Sequence, residues 1–171
     1  MAIGDNLLLD FDQEIARTRT TLERVPADRF DWRPHPKSGT LLWLARHVAD
    51  LPSLGALIVT QDQFEAAPGR RPVEPPPSDT AGIVAVFDSN AGRMRAAIDG
   101  ASDDDLRKPW SLLNDGTVLF TRPKAALLRT FVMNHMIHHR AQLGVYLRLN
   151  DVPVPSLYGP SADEPSPSAR A

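Results

Sequence analysis

The chain has 171 residues, a formal net charge of −2 and an apolar fraction of 42%, the profile of one globular domain with a single core. No basic excess points to nucleic acid, and no run of about 18 apolar residues points to a membrane span. There is no cysteine, which excludes disulfides and thiolate ligands and fits a reducing cytoplasm.

The opening MAIGDNLLLDFDQE is acidic, with no cationic stretch before its short apolar run, and does not read as a secretory signal. From Ile3 to Val25, the residues Leu8, Phe11, Ile15, Leu22 and Val25 keep a three-or-four spacing, with Glu14 and Arg17 off the stripe. This predicts a first helix, ended by Pro26. In the following loop Phe30 and Trp32 are expected to cap the core, and His35, among prolines, to face solvent. Ser38 or Thr40 can cap a second helix that runs to Thr60. Trp43, Leu44, His47, Leu51, Leu54 and Ile58 share its predicted inward face, and Pro52 predicts a kink one turn beyond His47.

Residues 65–78 hold five prolines and read as a surface connection rather than a domain boundary. A third helix is expected from about Asp79 to Asp99, with Ile83, Phe87, Met94 and Ile98 inward and Gly100 as its stop. Between Ala101 and Arg122 the pattern loosens; Asn114-Asp115-Gly116 suggests a small hairpin, with a plain loop as the alternative. The stretch Pro123 to Asn150 predicts a long fourth helix. Beyond it, prolines extend the chain and residues 165–171 read as a frayed tail. The expectation is an all-α four-helix bundle occupying residues 1–164. Its connections, roughly 14 to 22 residues long, exceed the usual length between antiparallel neighbours and leave the helix order open.

The fourth helix carries the chemistry. At about 100° per residue, Leu128, Phe131, His135, His139, Gln142, Tyr146 and Leu149 fall on one stripe, which predicts two imidazoles one turn apart on a core-facing surface. His47 sits on the inward stripe of the second helix. Packing the two faces in register would bring three imidazoles to one cation, with an open position for water or substrate. The alternative is that each histidine lines the core, hydrogen-bonded to a carbonyl or a buried carboxylate. His138, about 100° around from His139, is placed beside the ligands rather than among them. Asp50, one turn after His47, is a candidate to orient an imidazole or a plain solvated carboxylate. Arg129, Arg140 and Arg148, on the opposite face, read as solvated or as a contact with a second subunit.

Missing residues exclude other metal chemistries. A zincin needs H-E-x-x-H, but Met136 follows His135. Di-iron bundles need E-x-x-H on two helices, and the fourth helix has no acid at all. A mononuclear site of neutral imidazoles remains, suited to Zn(II), Ni(II) or Fe(II) rather than Mg(II) or Ca(II).

With TLLWLARHVADL and FVMNHMIHHRAQLGVYLRLNDVPVPSLYGPSADE, the chain resembles the DinB-like superfamily of bacterial four-helix bundles over about residues 3 to 164. The resemblance implies an up-down-down-up bundle, frequently a homodimer, and puts the family's metal triad on His47, His135 and His139. Pro52 departs from the family pattern, and a kink there would alter the shape of the site. Characterised relatives include metal-dependent transferases and isomerases that use low-molecular-weight thiols such as bacillithiol or mycothiol.

The leading expectation is therefore a cytoplasmic, metal-dependent enzyme that activates a low-molecular-weight thiol for transfer to a small electrophile. His138, Gln142, Tyr146 and Tyr158 are the candidates to contact substrate. Metal-dependent hydrolysis by an activated water is the alternative, and a stress-linked metal or small-ligand binding protein without catalysis is the third reading. Neither nucleic acid nor membrane is expected as a partner.

Overall fold

The computed structural model describes residues 1–66 and 75–164. Two helices of 20 residues come first, α1 (Ile3–Leu22) and α2 (Leu41–Thr60). Thr40 caps α2 by accepting the Trp43 amide at 3.1 Å, an interaction worth roughly 1 kcal/mol. A three-residue strand, β1 (Gln63–Glu65), follows, then α3 (Thr80–Asp99), where Asp79 accepts the Gly82 amide at 2.7 Å. A short helix α4 (Asp103–Arg107) leads into strands β2 (Pro109–Asn114) and β3 (Thr117–Pro123). The last helical stretch starts as α5 (Lys124–Leu127), widens into a π segment (Leu128–Met133) and continues as α6 (Asn134–Leu149).

The expectation of an all-α four-helix bundle needs correction. Three strands form a mixed sheet in the order β1-β2-β3, with β1 parallel to β2 and β2 antiparallel to β3. Asp115 and Gly116 make the β2–β3 turn with φ of 49° and 75°, the left-handed pair that matches strand twist and that Asp-Gly adopts readily. The Glu65 carboxylate accepts both turn amides, at 2.9 Å from Asp115 and 3.0 Å from Gly116, and so ties β1 to the hairpin. Phe64, Leu112 and Phe120 pack on the lower core beside the fully buried Trp110. The Phe120 ring meets Phe131 of the π segment edge-on at 5.5 Å.

Each of α1 and α2 packs against both α3 and α6. Ile83, Phe87, Met94 and Ile98 of α3 are buried as the periodicity predicts. The α2–α3 approach is close: a Cβ on Gly55 would lie 2.2 Å from the Met94 sulfur. By length and composition α2 could cross a membrane, yet here its apolar side is core, packed between α3 and α6. Pro52 lies inside α2 without ending it. Proline removes a backbone donor and loosens the turn before it; Asn90 of α3 donates to the Ala49 carbonyl there at 2.9 Å.

The stripe predicted for the fourth helix is rotated. Leu128, Val132, Met136, Arg140, Leu143 and Leu147 are the buried line, whereas Gln142 and Leu149 are exposed. Counting apolar residues excluded Arg140, which is 1% exposed. Its guanidinium donates to the Glu14 carboxylate at 2.6 Å, the Glu14 carbonyl at 3.1 Å, the Thr18 hydroxyl at 3.0 Å and the Tyr158 hydroxyl at 2.6 Å. Arg140 is thus neither solvated nor part of a subunit contact, and Glu14, placed off the stripe, is buried with it. The predicted proline-rich connection lies partly outside the described residues, and the predicted tail wholly outside them.

Candidate metal centre

His47 of α2 and the pair His135 and His139 of α6 come together at the side of the fold. Each is half-buried, not sunk in the core as the helical stripe suggested. The His47 and His135 Nε2 atoms are 3.3 Å apart, and the His135 and His139 Nε2 atoms 2.8 Å. Candidate donor atoms of all three rings lie within 4.8 Å of one another. Tetrahedral ligation with Zn–N bonds of roughly 2.0–2.1 Å puts neighbouring nitrogens about 3.3 Å apart, so the cluster has the span such an ion requires.

Proton placement sharpens the fit. Gln142 Oε1 lies 2.7 Å from His139 Nδ1, and because a carbonyl only accepts, Nδ1 carries the proton. Neutral His139 therefore presents a lone pair at Nε2. A single proton on His135 Nε2 can bridge to one neighbour but not to both. A divalent cation accepts all three lone pairs at once, and the donor set fits a borderline transition metal.

Electrostatics keep the ligands in the form a metal needs. Burial, followed by the nearby His139 and His135 rings, pushes the His47 imidazole down to about 4. Burial also pushes His135 below the ordinary imidazole range, with His139 adding to the effect and the Phe131 backbone opposing it. Neutral imidazole is the ligating species.

The remaining candidates separate clearly. Gln142 spans two rings: its amide nitrogen also donates to His138 Nε2 at 3.1 Å. His138 is exposed; it meets the His139 ring edge-on at 4.9 Å and is tied to it through the Gln142 amide as well. Tyr146 donates to the Gly39 carbonyl at 3.3 Å and stands edge-on to Trp32 at 5.5 Å, holding α6 to the loop before α2. Tyr158, a substrate-contact candidate, is instead bonded to Glu14 at 2.6 Å and to Arg140, away from the triad. Asp50 accepts from Arg46 at 2.8 Å and does not orient His47. His35 is exposed in its loop.

Trp43 is the residue that periodicity misplaced. Apolar periodicity puts it on the inward face of α2, but it is 54% exposed and its indole lies parallel to the His47 ring, 5.2 Å away and 8° off coplanar. Together with Ser38, Leu44, Gln142, Val145 and Tyr146 it lines a groove of about 370 Å³ beside the triad. The available sequence signal was spacing: Trp43 is one turn before His47, on the same side of the helix.

The sequence matches the DinB superfamily over residues 10–143, a span that includes all three histidines. The chain belongs to the DinB superfamily. Two solved structures share its fold. A DinB-like protein from Bacillus cereus ATCC 10987 is 20% identical, with a TM-score of 0.68 over 90% of this chain and 97% of its own. A DinB-like protein from Bacillus subtilis, YjoA, is 18% identical, with a TM-score of 0.69 over 94% of this chain and 99% of its own. At such identities the likeness is one of fold. Among curated proteins none matches.

Proposed function

We propose that this DinB-superfamily protein holds a divalent transition metal on His47, His135 and His139 and uses it to activate a low-molecular-weight thiol for transfer to a small electrophile. The observation that carries this reading is the convergence of three Nε2 atoms next to a groove, joined to it by Trp43 and Gln142, that has no carboxylate among its described lining residues. A carboxylate, one of the side chains that can act as base in hydrolysis or proton abstraction, is absent from the described lining of this groove.

Bound there, a divalent ion supplies the positive charge that lowers a thiol's pKa toward neutrality. The protein's own contribution is positional. Gln142 fixes the His139 tautomer, Trp43 backs the His47 ring, and Leu44 and Val145 offer the electrophile apolar surface in the groove. In the transfer, the thiol proton goes to solvent and sulfur bonds to the electrophilic carbon. The leaving group departs with the electron pair of the broken bond. A cytoplasmic setting, where such thiols stay reduced, suits this chemistry.

The test is thiol consumption with a panel of electrophiles and small thiols, using protein whose metal content has been measured, before and after chelation. Turnover that disappears with the metal and returns on its readdition supports the proposal. A filled site that consumes no thiol across the panel overturns it, and ester or amide cleavage by the same filled site would favour the activated-water alternative.

A further inference from the structure

We infer that the groove beside the triad is the binding site for a neutral, planar aromatic substrate, with Trp43 as its stacking wall. This rests on the proposed function for the triad and names the class of electrophile that would be presented to it.

Two contacts fix an indole that folding alone does not require to be outside. Its one face lies against the His47 ring at 5.2 Å. A Cβ on Gly39 would come within 2.4 Å of the indole carbon Cε3, so the ring rests on the bare backbone at that position. Gly39 has no left-handed φ to explain its presence; the close approach of the indole explains it instead. The Gly39 carbonyl is in turn held by the Tyr146 hydroxyl at 3.3 Å. Yet Trp43 remains 54% exposed. A large aromatic surface held in one pose and left open to water is the pattern of a recognition surface, because little ordering entropy remains to be lost when a ligand stacks on it.

The rest of the lining sets the chemical class. Leu44 and Val145 supply aliphatic surface, and Ser38, Gln142 and Tyr146 supply uncharged polar groups. No described lining side chain is charged at neutral pH, so a charged group seated among these walls, away from the triad, would lose hydration without gaining a counter-charge from them. About 370 Å³ falls in the range for a small organic ligand. Gln142 joins groove to metal centre, since the amide that lines the cavity also bonds His139. A ring stacked on the indole face away from His47 would lie in the groove, with Gln142 between it and His139.

The experiment uses the full chain, labelled with nitrogen-15 and of measured metal content. Its three tryptophans give three indole N–H signals, and Trp43→Phe identifies the one that belongs to position 43. The probes are 2-naphthamide and, as a charged ring of similar size and poor metal affinity, naphthalene-2-sulfonate. The expected result is movement of the Trp43 signal by the amide, with a Kd at least about tenfold lower than for the sulfonate. Gly39→Ala, which displaces the indole, should raise the amide Kd at least about fivefold at unchanged metal content. Trp43→Ala serves as the second variant and should weaken amide binding at least as much. Equal binding of the two probes overturns the inference, as does a Trp43 signal that neither probe moves. Should the amide bind as described while no thiol is ever consumed, the stacking site stands and the thiol reading falls.

Discussion

His139 and Arg140 are neighbours in sequence, yet they belong to two polar clusters that face opposite ways from α6. Arg140 is 1% exposed, and its charge is answered by the Glu14 carboxylate and by three further oxygens. Burial alone would raise the Glu14 carboxyl, but the Tyr158 hydroxyl, then Arg140 and Arg17, hold it below the ordinary carboxylate range. On the other side, half-buried imidazoles crowd their ring nitrogens together with fewer protons than such contacts need. One cluster is complete as it stands. The other has the spacing that a cation could complete. Burial of polar groups therefore does not by itself mark a functional site; convergence without mutual satisfaction does.

Removing Arg140 should break the complete cluster with the largest effect. Arg140→Ala leaves the buried Glu14 carboxylate with only the part-exposed Arg17 guanidinium at 2.8 Å as counter-charge, and loss of one partner of a buried pair costs up to about 3–5 kcal/mol. Urea unfolding should register that loss, whereas the metal content of the folded fraction should stay near that of the parent protein. A loss below about 1 kcal/mol, the scale of a surface pair, would show that water reaches Glu14. Substitution in the incomplete cluster should behave in the opposite way. His47→Ala, His135→Ala and His139→Ala should each reduce metal affinity by more than the roughly 10–100-fold that loss of a supporting hydrogen bond costs. Stability of the metal-free protein should change little, and His35→Ala, in an exposed loop, should leave metal content unaltered. Equal retention in all four variants would dismiss the triad.

The contrast between these clusters also explains what could be read from sequence. The starts of α2 and α3 were legible because capping is a local signal: Thr40 and Asp79 act where the sequence shows them, whereas α1 stops at Leu22, short of the predicted stop at Pro26. The meeting of His47 with His135 and His139 was legible because i, i+4 spacing and apolar flanks survive a modest error in rotation. The orientation of the stripe was not. Arg140 is buried only because Glu14, 126 residues away in sequence, supplies its counter-charge, and the π segment before His135 shifts the helical phase. Trp43 was misread for a related reason, since hydrophobicity does not distinguish a core residue from a binding wall. The sheet was missed in part because β1 has only three residues and pairs with a strand about 50 positions later, beyond the reach of local periodicity.

Gln142 tests whether the incomplete cluster is shaped by its own hydrogen bonds. Gln142→Ala removes the acceptor for His139 Nδ1–H and lets the ring exchange tautomers or rotate. Metal affinity should fall by about tenfold, the lower end of the range for such partners, and by less than for any of the three histidines. Competition with a chelating dye would measure it. Unchanged affinity would mean that packing alone orients His139, with Trp43 and the neighbouring rings sufficient to hold the site.

The smallest effect should appear on acidification of the metal-free protein. His47 titrates near 4 in the folded chain, and His135 lies below its ordinary value; both recover a normal imidazole pKa of about 6.5 on unfolding. Below that value the unfolded chain takes up protons that these folded rings refuse, so acid favours unfolding. Their contribution is therefore absent above pH 6.5, destabilises progressively as pH falls, and levels off for His47 once pH passes its folded value near 4. Carboxylates such as Glu14, held low in the native state, also lose stability on acidification, so the parent curve alone does not isolate the imidazoles. His47→Ala does, because it removes one ring while leaving the Glu14 cluster intact. The variant should unfold at a lower urea concentration than the parent near pH 7.5 only if packing of the ring matters there, and the difference should shift in the variant's favour as pH is lowered toward 4.5. A difference that stays constant over that interval would mean that His47 is as hydrated in the folded chain as in the unfolded one. Its low proton affinity, and with it the readiness of the triad for a cation, would then be lost.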